Sequence, residues 1–319
     1  DNSCDSFKEG WGGKDYYCLP SILQVEHGYN TASFHANNAD FWNREELHPR
    51  WGFADLQYLP KFNYREEDRV VLLDTVEYLK KQTKPTFAYV VGFSSHAPHT
   101  YIEMEYLRET SNANIDIFNG KLPDNFENNI ELNNPVDVQA FLGFMKNIDD
   151  GIRSFMLELE NSGLADNAIV VITSDHRYYN FYDRGIEDFY DYNRVPFVIV
   201  PPKGESYTGA QIASHIDIAP TLLHMLEGAE YSPREHFLGT SLYAKEREEE
   251  VFFSCKDNLH RIGADDTIIT TAKNATISRL LNSRYPVDKE EVEKIGEKLR
   301  LKALLNNQSI EEGILAPAE

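Results

Sequence analysis

IVVITSDH, residues 169–176, is an unbroken apolar run of strand length that ends in an aspartate and a histidine. A segment apolar at nearly every position suits a strand buried on both faces, as in a parallel sheet covered by helices. Upstream, the spacing of Phe141, Phe144, Met145, Ile148, Ile152 and Phe155 predicts a long amphipathic helix from about Val136 to Ser162, ended by Asn161-Ser162-Gly163. Downstream, VPFVIVPP (195–202) reads as a second buried strand, stopped by two prolines. IDIAPTLLHMLEG (216–228) reads as a helix with Pro220 in its first turns and Gly228 just past its end.

The same alternation runs through the rest of the chain. LPSILQVEHG (19–28) predicts a short helix closed by Gly28, NTASFHA (30–36) a strand, and DFWNREELH (40–48) a helix opened by an aspartate cap. A helix is expected between Glu66 and Lys81, and a strand in PTFAYVVGFSS (85–95). Residues 101–135 are polar and Asn-rich and read as a long surface excursion. Beyond residue 250 come a strand at VFFSC (251–255), hairpin strands around DTIITTAKNATIS, and a charged helix from Asp288 to about Asn306.

The fold class expected is therefore α/β: a three-layer α/β/α arrangement with a mainly parallel central sheet, plus a small C-terminal β/α extension. Residues 1–250 would form the main domain, and 251–319 would pack on it. In such sheets ligands bind at the carboxyl ends of strands, where Asp175 and His176 fall.

The bulk numbers exclude some classes. The 319 residues, 41% of them hydrophobic, suffice for one large domain or two small ones. A net charge of -21 lacks the basic footprint that nucleic acid requires, so no nucleic-acid partner is expected. Cys4 and Cys18 could close a short disulfide loop in an exported protein or remain reduced, and Cys255 completes the set without any CxxC pair. No apolar run approaches the ~20 residues that cross a bilayer. The chain opens on Asp1, and we expect it to start inside a longer protein that reaches the membrane through an upstream segment.

Adjacent Asp175 and His176 can both ligate a divalent ion if the backbone turns there, or they can be an ordinary strand end with a surface histidine. His215 and Asp217 in SHIDIAPTLLHML (214–226) are, taken alone, the entry to a capped helix. The order of strand-SDH, VPF strand and HIDIAPTLL is similar to the C-terminal signature of the alkaline phosphatase/sulfatase superfamily. SFHANNADFWNREEL (33–47) resembles the FWNR segment of lipoteichoic-acid-synthase-type phosphoglycerol transferases. GFSSHAPHTY (92–101) resembles their strand ending in NHFP, with Ser95 in place of Asn, and FLGTSL (237–242) also matches.

That resemblance implies an alkaline phosphatase/sulfatase-like fold with Asp175 and His176 as ligands of Mn2+ or Mg2+, with Zn2+ an alternative. It implies that Arg44 and Trp42 bind the substrate phosphate, with His35, His96 and His215 completing the pocket. Arginine offers a planar fork of donors and tryptophan an indole N–H, although Trp42 alone would read as a core aromatic. The implied reaction moves glycerol phosphate from a phosphatidylglycerol-type lipid headgroup to a cell-envelope polymer acceptor, at the extracellular face of the bacterial cell membrane. Ser3, in Ser3-Cys4-Asp5, stands where the family has its Thr nucleophile, and Asn37 stands where many relatives carry Asp. The strand that bears the family's first metal ligand has no counterpart here. Rival expectations are a sulfatase, which would need a C/S-x-P-x-R segment that CDSFK does not supply, a phosphoethanolamine transferase, a non-catalytic binder of anionic headgroups, or an intracellular phosphomutase-like enzyme.

Overall fold

A computed structural model describes residues 17–39, 41–58, 68–111, 115–122, 134–177, 194–203, 205, 212–247, 250–255, 258–263, 267–272, 278–283 and 286–312. The chain divides into two compact units, Asp1–Arg184 with Phe189–Glu205, and Gly185–Asp188 with Ser206–Glu319.

In the first unit, β1 (Asn30–His35), β2 (Asp55–Tyr58) and β3 (Thr86–Val91) form a parallel sheet in the order β2-β1-β3. The register sets Ser33 beside Leu56 and Tyr89, and His35 beside Tyr58 and Val91. Side chains alternate across a strand, and β1 uses both faces. Ala32, Phe34 and Ala36 pack with Val71 and Tyr78 of α3 (Asp68–Leu79) and with Phe93. Thr31, Ser33 and His35 point the other way, where Ser33 meets His48 on α2 (Arg44–Arg50). Helices therefore cover both faces, and the carboxyl ends of three parallel strands lie side by side. α1 (Leu19–Val25) precedes β1, with the free thiol Cys18 as its N-cap. Burial pushes the Cys18 thiol up to about 12, while Cys4 lies outside the described residues.

The expected surface excursion after residue 100 needs correction. Tyr101–Ser111 is a helix, α4, whose Met104 and Leu107 are buried against Ala140 and Phe144 of α5 (Pro135–Asn161). Asp137 on α5 accepts the Tyr101 N–H at 2.9 Å, satisfying one of the open donors at the start of α4. Met104 and Leu107, three residues apart, form the buried stripe that the surrounding glutamates and asparagines mask in the composition. The long helix forms as expected: Pro135 takes its first turn and the Asn134 side chain accepts the Asp137 N–H. β4 (Val170–Thr173) and β5 (Phe197–Val200) pair antiparallel as a two-stranded sheet, where the apolar runs suggested parallel strands.

In the second unit, a short turn of helix, His215–Asp217, leads into α6 (Ile218–Glu227). β6 (Glu250–Cys255), β7 (Asn258–Gly263), β8 (Ile268–Ala272) and β9 (Ser278–Asn282) form an antiparallel meander in sequence order. α7 (Lys289–Glu312) lies on it, with Arg300 Nη1 donating to Thr271 Oγ1 at 2.6 Å. β7 adds a strand to those expected, and α7 runs further than Asn306. No helix among the described residues is long and apolar enough to cross a membrane.

Candidate active site

His35 ends β1, buried, and its Nδ1 donates to the Val91 carbonyl at 2.9 Å. That bond places the proton on Nδ1 and the lone pair on Nε2. Burial lowers the His35 pKa to about 4; the Val91 bond opposes this and the nearby Arg44 charge adds to it. Phe93 lies edge-on to His35, with ring centroids 5.8 Å apart, and stacks on His96 at 5.4 Å and 14°. His96 sits exposed on the turn after β3, with its Nδ1 donating to the Ala97 carbonyl at 2.7 Å. Both imidazoles thus carry their lone pair on Nε2.

The link from β1 to α2 is strained. Trp42 and Asn43 are consecutive residues with φ of 60° and 53°, a left-handed conformation costing roughly 1–3 kcal/mol for a residue other than glycine. It leaves Trp42 46% exposed, so Trp42 is not the core aromatic its spacing alone would suggest. Arg44 follows as the first residue of α2, and Tyr58, Tyr89, His35 and His48 all lie within reach of its charge. Asn37 is buried, its Oδ1 accepting the Asn38 N–H at 2.7 Å.

His48 is a buried neighbour of Arg44 that sequence reasoning misses. It lies one helical turn after Arg44, buried, with Nδ1 at 2.7 Å from Ser33 Oγ and 3.0 Å from Tyr58 OH, and its ring stacks on Trp51. Its position four residues after Arg44, beside buried Leu47, is the one signal the chain offers. Burial lowers its pKa to about 4, assisted by Arg44 and then His35.

Asp175 and His176 lie just past β4, both exposed. His176 Nδ1 donates to the Arg177 carbonyl at 2.7 Å, which directs the lone pair to Nε2, and Nε2 stands 3.4 Å from Asp175 Oδ2. Two donors on one tetrahedral ion with bonds of about 2.0–2.1 Å are about 3.3 Å apart, so a divalent ion could bridge this spacing; among the described residues no third His, Cys, Asp or Glu joins the pair. Asp175 also reaches Tyr89: burial raises the Tyr89 pKa, Arg44 lowers it, and Asp175 raises it further. The Tyr89 phenol is thus under the influence of both the guanidinium and the Asp175 carboxylate. Among the expected residues, the first unit brings His35, Arg44 and His96 together around Phe93 and β1, with Trp42 beside Arg44. His215 belongs to the second unit, exposed ahead of α6. Ser3 lies outside the described residues.

The two buried imidazoles make stability depend on pH. Their folded pKa values near 4 lie below the ordinary value near 6.5, so the unfolded chain takes up protons that the folded chain refuses. Their contribution is whole above pH 6.5 and is lost as pH falls towards 4. Each shift is worth about 3 kcal/mol by linkage. Thermal unfolding followed from pH 7.5 to 4.5 should show a falling Tm, and His48→Gln should flatten the fall. A variant curve parallel to the wild type would contradict this.

The profile of the sulfatase family matches residues 11–229. Lipoteichoic acid synthase of Staphylococcus aureus (strain USA300) is 23% identical over 262 residues, which cover 76% of this chain and 37% of that protein. The chain thus spans little more than a third of the curated relatives it matches. A solved protein of the alkaline phosphatase superfamily from Vibrio parahaemolyticus superposes with a TM-score of 0.67 at 16% identity, covering 96% of this chain and 71% of that one. Lipoteichoic acid synthase LtaP from Listeria monocytogenes gives 0.63 at 18% identity, covering 94% and 74%. These likenesses establish the alkaline-phosphatase-type α/β fold.

Proposed function

Since the chain belongs to the sulfatase family, we propose that it transfers glycerol phosphate from a phosphatidylglycerol-type lipid to a cell-envelope polymer or glycolipid. The reaction takes place at the extracellular face of the bacterial cell membrane. Residues 1–250 carry the catalysis and 251–319 form an extension. The observation that carries this reading is the carboxyl end of β1 and β3, where Phe93 lies against both His35 and His96 and Arg44 opens the helix that follows β1. Tyr89 on β3 lies within electrostatic reach of both Arg44 and Asp175, which supports reading the arginine and the Asp-His pair as parts of one site.

Arg44 grips the phosphoryl oxygens through its planar fork, and exposed Trp42 offers its indole N–H beside it. His35, neutral and buried at the end of β1, is fixed behind the phosphate site by its Nδ1 bond to the Val91 carbonyl. His96, stacked on Phe93, completes this group within the first unit. Mn2+ or Mg2+, or alternatively Zn2+, would be held by Asp175 Oδ2 and His176 Nε2, supplying Lewis acidity and lowering the pKa of a hydroxyl nucleophile. Ser3 is assigned as that nucleophile. Its Oγ–P bond forms as the P–O bond to diacylglycerol breaks, and the proton passes to the departing oxygen. The acceptor hydroxyl then attacks the same phosphorus, the Ser3 Oγ–P bond breaks, and the acceptor's proton ends on Ser3 Oγ.

The test presents the intact protein, with Mn2+, with phosphatidylglycerol, phosphatidylethanolamine or an aryl sulfate. Diacylglycerol release from phosphatidylglycerol alone is expected. Turnover of phosphatidylethanolamine or of the sulfate would reassign the headgroup. Headgroup binding without turnover of any of the three would make the protein a non-catalytic relative.

A further inference from the structure

Asp68 opens α3 and is 6% exposed, and the site described so far does not use it. Its Oδ1 accepts the backbone N–H of Phe93 at 2.6 Å and that of Ser94 at 3.1 Å, while Oδ2 lies 3.2 Å from the same Ser94 nitrogen. The contact is reciprocal, because Ser94 Oγ accepts the Asp68 N–H at 3.1 Å. The start of a helix is thus stitched to the chain leaving β3, with open donors on each side satisfied by the other. Gly92 belongs to the same fit, since a Cβ there would stand 2.7 Å from Asp68 Oδ2.

The residue held is Phe93, whose ring touches both His35 and His96. The His96 N–H donates to the Phe93 carbonyl at 3.0 Å, so the turn that carries His96 is also measured from Phe93. We infer that Asp68 is a positioning residue: it locks Phe93 as the wedge that sets the distance and tilt between the His35 and His96 imidazoles. An ionised carboxylate suits this task, because charge-assisted bonds to two successive N–H groups fix a backbone more firmly than neutral ones. His35 bonds to the sheet through Val91 and stays put, whereas exposed His96 gets its geometry from the Phe93 turn. This inference rests on the reading of both histidines as parts of a phosphate pocket.

The experiment records imidazole NMR signals of the full chain for wild type, Asp68→Ala, Asp68→Asn and Gly92→Ala. Glycerol 3-phosphate is then titrated into each protein with Mn2+ present. In the wild type the Phe93 ring current displaces the His96 ring protons from their solvent values. Asp68→Ala and Gly92→Ala should abolish that displacement and weaken glycerol 3-phosphate binding about tenfold, the loss of one hydrogen bond to a charged group. Asp68→Asn keeps an acceptor for Phe93 and should recover part of both. Wild-type His96 signals in a folded Asp68→Ala protein would overturn the inference. Should that variant fail to fold, Gly92→Ala decides in the same way. If the His96 signals move as expected but no protein binds glycerol 3-phosphate, the positioning role stands and the phosphate reading falls.

Discussion

His176→Ala should lower turnover of phosphatidylglycerol by on the order of 10³-fold and remove Mn2+ binding, with little change in the stability of the metal-free protein. The rate effect follows from the several kcal/mol of charge stabilisation that a bound divalent ion gives a phosphoryl group, at 1.36 kcal/mol per factor of ten. The unchanged stability follows from exposure: the side chains of His176 and Asp175 are 46% and 83% accessible. Substitutions at such positions usually stay within about 0.5 kcal/mol. Asp175→Asn should lie between, because its carbonyl oxygen can still approach the ion without the charge. Chelation of the wild type should reproduce the His176→Ala rate, and added Mn2+ should restore only the wild type. Calorimetric metal titration beside the rate assay checks both halves. A His176→Ala enzyme within tenfold of wild type would remove the pair from the metal site.

Arg247→Ala should destabilise the second unit by about 3–5 kcal/mol, the cost of stranding a buried charge. The Arg247 and Asp217 side chains are 5% and 6% accessible and form an ion pair at 3.0 Å. Arg247 also donates to the carbonyls of Thr240 at 2.7 Å and Ile212 at 2.9 Å. Asp217 accepts the N–H groups of Thr240 and Ser214, each at 2.9 Å. One pair thus ties the entry of α6 to the FLGTSL segment and to Ile212. Asp217→Asn combined with Arg247→Met removes both charges together and should recover most of the loss. Trp42 and Trp51 belong to the first unit, so their fluorescence would follow the wrong unit. Amide exchange in β6–β9 is the suitable readout. An Arg247→Ala loss below about 1 kcal/mol would show the pair to be dispensable.

Local order and chemistry are legible in the chain alone. Unbroken apolar runs mark β4 and β5, NTASFHA marks β1, and proline and glycine bound α5 and α6. The FWNR and SDH segments point to Arg44, Trp42, Asp175 and His176 only through the family resemblance that they carry. Several features stay hidden. Apolar runs carry no direction, so the antiparallel pairing of β4 with β5 cannot be read from them. α4 reads as loop because its buried stripe holds only Met104 and Leu107 among glutamates, and β7 lacks a clean alternation.

The polar residues that complete the site are hidden for a different reason. Nothing near His48 in the chain shows that Ser33 and Tyr58 will flank its ring, and nothing near Asp68 shows that Phe93 and Ser94 will offer their N–H groups. Those partners are 10 to 26 residues away. Helical and strand periods report only neighbours within a turn or a pleat. Tertiary closure alone decides which polar groups are taken out of water, and each must then find its partner from whichever element has been packed against it.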